Sequence, residues 1–178
     1  MPRNRVLSGS PVREALVLFS LLYAGSVVGE ELADIPNFLA YSDALASAGQ
    51  PTEAQLAEAA EQGYTRVINL GFSGSESAPV AEDKTVVSEG MRFIHIPVDW
   101  RAPKVDDFRT FAAVMQAEPD ARTLVHCQLN YRASAFSYLY RVAILGEPEA
   151  DARRDMQSIW TPNETWSAFI QDTLAAYE

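Results

Sequence analysis

The 178-residue chain has a single cysteine, and its neighbours are those of a nucleophile. Cys127 lies in LVHCQLNYRASAF, residues 124–136, after a short apolar run and His126. Arg132 follows at the fifth position after it and Ser134 at the seventh. A lone cysteine is by default a small buried hydrophobe, so its surroundings must decide. Placed where a strand gives way to a helix, a thiol meets inward-pointing N–H groups and the positive end of the helix dipole, both of which favour the thiolate. The planar guanidinium of Arg132 can grip two oxygens of a tetrahedral anion. The expected arrangement is a sulfur nucleophile facing a phosphate or a similar oxyanion.

Such a loop needs strands and helices on both sides, and the sequence supplies them. Phe38–Tyr41 and Leu45–Ser47 read as a short hairpin turning at Ser42 and Asp43. Thr52, with Gln55 three residues later, caps a helix whose inner stripe is Leu56, Ala59 and Ala60 and which ends at Gly63. TRVINL (65–70) is a buried strand, followed by a Gly/Ser-rich loop over 71–79. A helix is expected over 80–89 and a strand over 91–97. A further helix should bury Phe108, Phe111, Ala112 and Met115, and RTLVHC forms the third core strand. Three more helices are expected, over 132–145, 150–160 and 162–177, the last with Pro162 in its first turn. Strands alternating with helices give an α/β fold, a mainly parallel central sheet flanked by helices, with ligands beyond the carboxyl ends of the strands. Three loops share that end: 71–79, 99–105 and 127–132.

With those residues in place, VHCQLNYRAS resembles the signature of the cysteine-dependent protein tyrosine and dual-specificity phosphatases. That signature runs His-Cys, two residues, Gly, two residues, Arg, Ser/Thr. FIHIPVDW is similar to the strand and loop that carry the family's general acid, and SAGQPTEAQLAEAAEQGYTRVINL to the opening of a bacterial branch of phosphatase-like proteins. The likeness spans Asp34 to Leu145 and implies the protein tyrosine phosphatase-like fold. It makes Cys127 the nucleophile that takes up the phosphoryl group, Asp99 the acid that protonates the leaving oxygen, and Ser134 the hydroxyl that eases thiolate departure. Arg132 and the N–H groups of Gln128, Leu129, Asn130 and Tyr131 would hold the phosphate oxygens, and His126 would orient the loop and tune the thiol. The implied substrate is a phosphorylated protein or a small phosphate ester, with no cofactor and no metal.

The departures from the signature also carry information. Four residues, QLNY, stand between Cys127 and Arg132 where the family has five. The shorter loop removes one N–H and changes where the arginine enters, so weak activity is expected. Asn130 replaces the family's glycine, a mild change because asparagine tolerates positive φ. A Cys-x4-Arg loop also resembles that of rhodanese-like sulfurtransferases, which carry sulfur as a persulfide. A bacterial sulfide-metabolism family related to phosphatases in fold shares the GQPTEAQL…GYTRVINL opening. Sulfur transfer and a non-catalytic oxyanion-binding domain therefore stand as alternatives.

Other residues have plainer readings. Asp106 and Asp107 suit helix capping, with one as a reserve acid, and His95 reads as a satisfied core histidine. Arg101 and Trp100 lie on the acid loop, Glu76 and its serines form a rim, and Trp160 and Trp166 are core anchors. Two histidines and one cysteine without ligand spacing make no zinc site. A net charge of −10 argues against nucleic acid as a partner. At the N-terminus, Arg3, Arg5 and Arg13 precede an apolar run over 15–29, shorter than a membrane span needs. Residues 1–29 are read as a secretion signal cleaved near Ser26 or Gly29, ahead of a single domain over 30–178. The protein is thus expected to be exported, periplasmic or secreted, and membrane-attached only if the signal stays uncleaved.

Overall fold

The computed structural model describes residues 31–73 and 81–177, together with Met1. The expected secretion segment, the start of the helix expected from residue 80, and Glu76 with its serines lie outside the described residues. Among these residues five strands form one sheet: β1 (Leu39–Ala40), β2 (Leu45–Ala48), β3 (Arg66–Asn69), β4 (Arg92–His95) and β5 (Thr123–His126). Their order is β1-β2-β5-β3-β4, with β1 antiparallel to β2 and every other pairing parallel. Leu124 lies between Ala46 and Val67, and His126 between Ala48 and Asn69. The cysteine-bearing strand is thus central, and its carboxyl end opens between two neighbours.

Among the described residues six helices cover the two faces: α1 (Glu53–Glu61), α2 (Glu82–Ser88), α3 (Val105–Ala117), α4 (Tyr131–Ala143), α5 (Glu149–Ile159) and α6 (Glu164–Ala175). On one face α1, α2 and a short 3-10 turn at Leu32–Asp34 bury Leu32, Leu56, Ala59 and Val86 against Ala46, Val67 and Leu124. On the other, α3, α4 and α6 bury Phe108, Phe111, Phe136, Leu139, Trp166 and Phe169 against Ile68 and Val125. This follows from the pleat, since Leu124 and Val125 must point to opposite faces.

The local signals mostly act as their chemistry dictates. Thr52 and Gln55 form a reciprocal capping box, and Gly63 follows α1 with φ of 89°. The buried residues of α3 are the four at helical spacing: Phe108, Phe111, Ala112 and Met115. One start differs. Pro162 lies outside α6, which Asn163 caps instead by accepting from Trp166 N, satisfying an N–H that proline could not.

Candidate active site

The turn from β5 into α4 is built by backbone constraints on its outer side. Cys127 N bonds Ala48 O at 3.3 Å, and Gln128 O accepts from Gln50 N at 3.2 Å. In a trans peptide the C=O and N–H point in opposite directions, so Leu129 N–H is turned away from Gln50. Leu129 O accepts from Asn37 Nδ2 at 3.1 Å, while Asn130 Nδ2 donates to Asn37 O at 2.5 Å. These two asparagines, both at positive φ, clasp the loop to the segment before β1. Asn130 has φ of 66° and stands just before α4 without a side-chain capping bond, so the position where the resembled signature has glycine does require the left-handed region here. The helical bonding pattern begins with Ser134 N to Asn130 O at 2.8 Å. The N–H groups of Tyr131, Arg132 and Ala133 therefore precede it without intrahelical partners.

Arg132 enters from the first turn of α4 and is almost fully buried. Its Nη1 donates to Val98 O at 3.0 Å and to Leu70 O at 3.3 Å, spanning the chain just past β4 and β3. Nη2 meets Gln128 Oε1. Nε is buried and has no partner among the described residues. The chain ends that lead into the loops expected at 71–79 and 99–105 thus meet the cysteine loop at one guanidinium. Beside it Cys127, 2% exposed, lines a cavity of about 190 Å³ together with Trp100, Gln128, Leu129, Tyr131 and Arg132. Tyr131 stacks on Trp160 with centroids 5.0 Å apart, and Trp100 packs against both, giving the cavity an aromatic wall.

The remaining expected residues are placed less directly. Asp99 is exposed in the turn before α3, and its Oδ1 accepts from Arg101 N at 2.8 Å. It is not among the cavity-lining residues, whereas its neighbour Trp100 is, held through its carbonyl by Trp166 Nε1 at 3.0 Å. The Ser134 hydroxyl donates to Tyr131 O and accepts from Trp160 Nε1, both at 3.1 Å, so its described bonds join α4 to α5. Trp160 is accordingly a partner of the loop helix and more than a core anchor. His126 is fully buried but faces the α1/α2 layer, with Nε2 3.0 Å from Glu82 Oε1. His95 is satisfied by Gly71 O at 2.7 Å, yet it is exposed on edge strand β4 and does not belong to the core. Asp107 accepts from Lys104 N at the start of α3 and Asp106 pairs with Arg109, which leaves both in capping or surface roles. Among the described residues no group of three or more His, Cys, Asp or Glu side chains is arranged to hold a metal, and no helix is long and apolar enough to cross a membrane.

Glu82, Gln50 and Asn69 had not been singled out from sequence. Burial pushes the Glu82 carboxyl up, but His126, Gln50 and Asn69 outweigh it and hold the group below the usual carboxylate range. A sequence signal existed: Glu82 stands four residues before buried Val86, placing a carboxylate on the inner stripe of α2.

No curated protein matches the chain. Among solved structures, a candidate phosphatase of the DUF442 family from Shewanella putrefaciens CN-32 is 35% identical, with a TM-score of 0.75 over 82% of this chain and 96% of that one. Tk-PTP in its active form superposes with a TM-score of 0.67 at 15% identity, over 79% and 97% of the two chains. TpbA from P. aeruginosa does so with 0.64 at 17%, over 80% and 88%. The last two show a shared fold. The model of one family, described as DSP-PTPase phosphatase fused to NAD+ kinase, matches residues 34–169. The chain belongs to that dual-specificity and protein tyrosine phosphatase family, with a cysteine-centred cavity where its fold puts the ends of three parallel strands.

Proposed function

We propose that the protein hydrolyses phosphate monoesters through a phosphocysteine on Cys127. The observation that carries this reading is Arg132, fixed at Nη1 by two carbonyls and lining one cavity together with Cys127. A tetrahedral anion there would meet the guanidinium of Arg132, the N–H groups at the start of α4 that lack intrahelical partners, and the positive end of its dipole. The sulfur attacks phosphorus in line, the P–O bond to the leaving group breaks, and Asp99 supplies the proton to that oxygen. Water, passing a proton back to the Asp99 carboxylate, then attacks the phosphocysteine and breaks its P–S bond, releasing phosphate and restoring the thiolate. TpbA has been captured in complex with phosphotyrosine, which makes an aryl phosphate a sensible first substrate.

The test uses two substrates of different leaving-group basicity. Cys127→Ser should abolish hydrolysis of both p-nitrophenyl phosphate and phenyl phosphate. Asp99→Asn should cost phenyl phosphate about 10²–10³-fold in kcat and p-nitrophenyl phosphate far less, because only the poorer leaving group needs a proton. Equal losses on both substrates would remove Asp99 from the role of acid, and turnover by Cys127→Ser would remove the covalent route.

One observation favours sulfur transfer as a second reading: the Asp99 carboxylate is exposed and engaged by Arg101 N outside the cavity, and persulfide transfer needs no general acid. Incubation with thiosulfate would then leave one added sulfur on Cys127, readable by intact-mass measurement. A binding domain without catalysis would be stabilised thermally by phosphate and turn over neither substrate class. Export belongs to the same proposal, and a mature N-terminus following Ser26 or Gly29 in protein from the native host would support it.

A further inference from the structure

We infer that Glu82 is a positioning residue of the active site: a buried carboxylate that touches no substrate yet holds the strand ends on which Cys127, Gln128 and Arg132 depend. The inference rests on the oxyanion-binding reading above. Glu82 is the first residue of α2 and is 7% exposed. Its Oε1 accepts from Gln50 Nε2 at 2.8 Å, and its Oε2 from Asn69 Nδ2 at 2.7 Å. His126 Nε2 stands 3.0 Å from Oε1, close enough for an ion pair though off the line of a hydrogen bond. These partners come from just past β2, from β3 and from β5, three neighbouring strands of the sheet with β5, which leads into the nucleophile, at their centre.

Each spoke continues into the catalytic loop. Gln50 N donates to Gln128 O at 3.2 Å, fixing the peptide that follows the nucleophile. Asn69 Oδ1 accepts from Gly71 N at 2.7 Å and shapes the turn that presents Leu70 O to Arg132 Nη1. His126 is the residue before Cys127, and its own carbonyl accepts from Leu70 N at 2.8 Å. The thiol, the arginine and the loop backbone are therefore each only a few bonds from a single carboxylate.

Glu82 nevertheless lies on the wrong side of the sheet for chemistry. His126 shares the face of Leu124, which packs with Val86 and the α1/α2 layer, whereas Val125 and Cys127 belong to the opposite cluster. A buried charge is a poor way to gain stability, since an apolar residue of similar size does as well or better. A carboxylate held by several donors instead over-determines where those donors sit, because removing it leaves buried polar groups unpaired.

The experiment measures Cys127 alkylation by iodoacetamide in the full chain at several tungstate concentrations, alongside hydrolysis of p-nitrophenyl phosphate. Glu82→Gln keeps the shape and one acceptor but loses the charge. It should raise the tungstate concentration for half-protection by about tenfold, and lower kcat by about 10–100-fold with a smaller change in KM. A folded variant that matches the parent within about twofold in both readouts overturns the inference. Should Glu82→Gln lack a cooperative thermal transition, Gln50→Met decides. It removes one spoke at a half-exposed site and should shift protection by about threefold, and no shift overturns the inference. If tungstate protects the parent but no phosphate ester is turned over, the phosphatase reading fails and the protection series still decides the role of Glu82. If tungstate leaves parent alkylation unchanged, the oxyanion site and this inference fall together.

Discussion

Replacing Asn130 by alanine and by glycine separates two contributions that meet at the start of α4. The backbone there has φ of 66°, and the side chain, fully buried, donates to Asn37 O at 2.5 Å. Both substitutions lose that hydrogen bond, worth about 1 kcal/mol net. Alanine additionally pays the left-handed penalty of roughly 1–2 kcal/mol that asparagine partly escapes. Glycine avoids the penalty, although its freer unfolded chain returns about 0.5–1 kcal/mol. Asn130→Ala should therefore destabilise by about 2–3 kcal/mol and Asn130→Gly by about 1–2 kcal/mol. At about 2–4 °C per kcal/mol for a chain of this size, alanine should melt roughly 5–10 °C below the parent, with glycine between them. Circular dichroism at 222 nm measures the transition, and p-nitrophenyl phosphate hydrolysis at 25 °C should follow the same order. An alanine variant as stable as the glycine variant would refute the reasoning, because the loop would then not depend on the left-handed residue.

Gly49→Ala should destabilise by about 1–3 kcal/mol in the same melting assay. An added Cβ would meet Pro36 O at 2.8 Å, Pro36 Cβ at 2.9 Å and Gln128 O at 3.0 Å, two of them backbone atoms with little room to move. A parallel loss of phosphatase activity is expected, since Gln128 belongs to the loop. Burial of Tyr41, against the smaller opposing effects of Ser47 and Arg141, raises its phenol to about 12. Burial and the Glu149 hydrogen bond do the same for Tyr138. Because the folded values lie above the unfolded ones, their contribution to stability is complete below about pH 10 and is lost as pH rises toward 12. Absorbance at 295 nm should show a late-ionising fraction that Tyr41→Phe diminishes; an unchanged titration would contradict the assignment.

Much of the site was legible because its signals are local. Thr52 with Gln55, the four-residue stripe of α3, and an asparagine between cysteine and arginine each report conformation through their own chemistry. That Leu70 and Val98, just past β3 and β4, both reach Arg132 followed from parallel topology, since strands that point the same way end at the same edge. Less was legible where partners are distant and polar. Nothing in the spacing of Gln50, Asn69, Glu82 and His126 foretells one buried cluster, and Asn37 meets Leu129 and Asn130 only because the chain before β1 returns across the loop. Arg66 likewise lies in β3, expected as a buried strand, with partners its spacing does not announce. It is 1% exposed, satisfied by Thr123 Oγ1 and Val114 O, both contributed from far along the chain. The family's general acid was placed by likeness to FIHIPVDW, and a likeness of strands does not fix where an exposed carboxylate turns.

All three tryptophans of the chain, Trp100, Trp160 and Trp166, lie together with ring centroids 5.2–5.9 Å apart, and Tyr131 extends the group to the mouth of the thiol cavity. Emission excited at 295 nm therefore originates from one place, not from an average over the molecule. Such a signal is a built-in optical gauge of what enters beside Cys127, needing no label. For the same reason it would be a poor witness to events on the far face of the sheet, where no indole is present to see them.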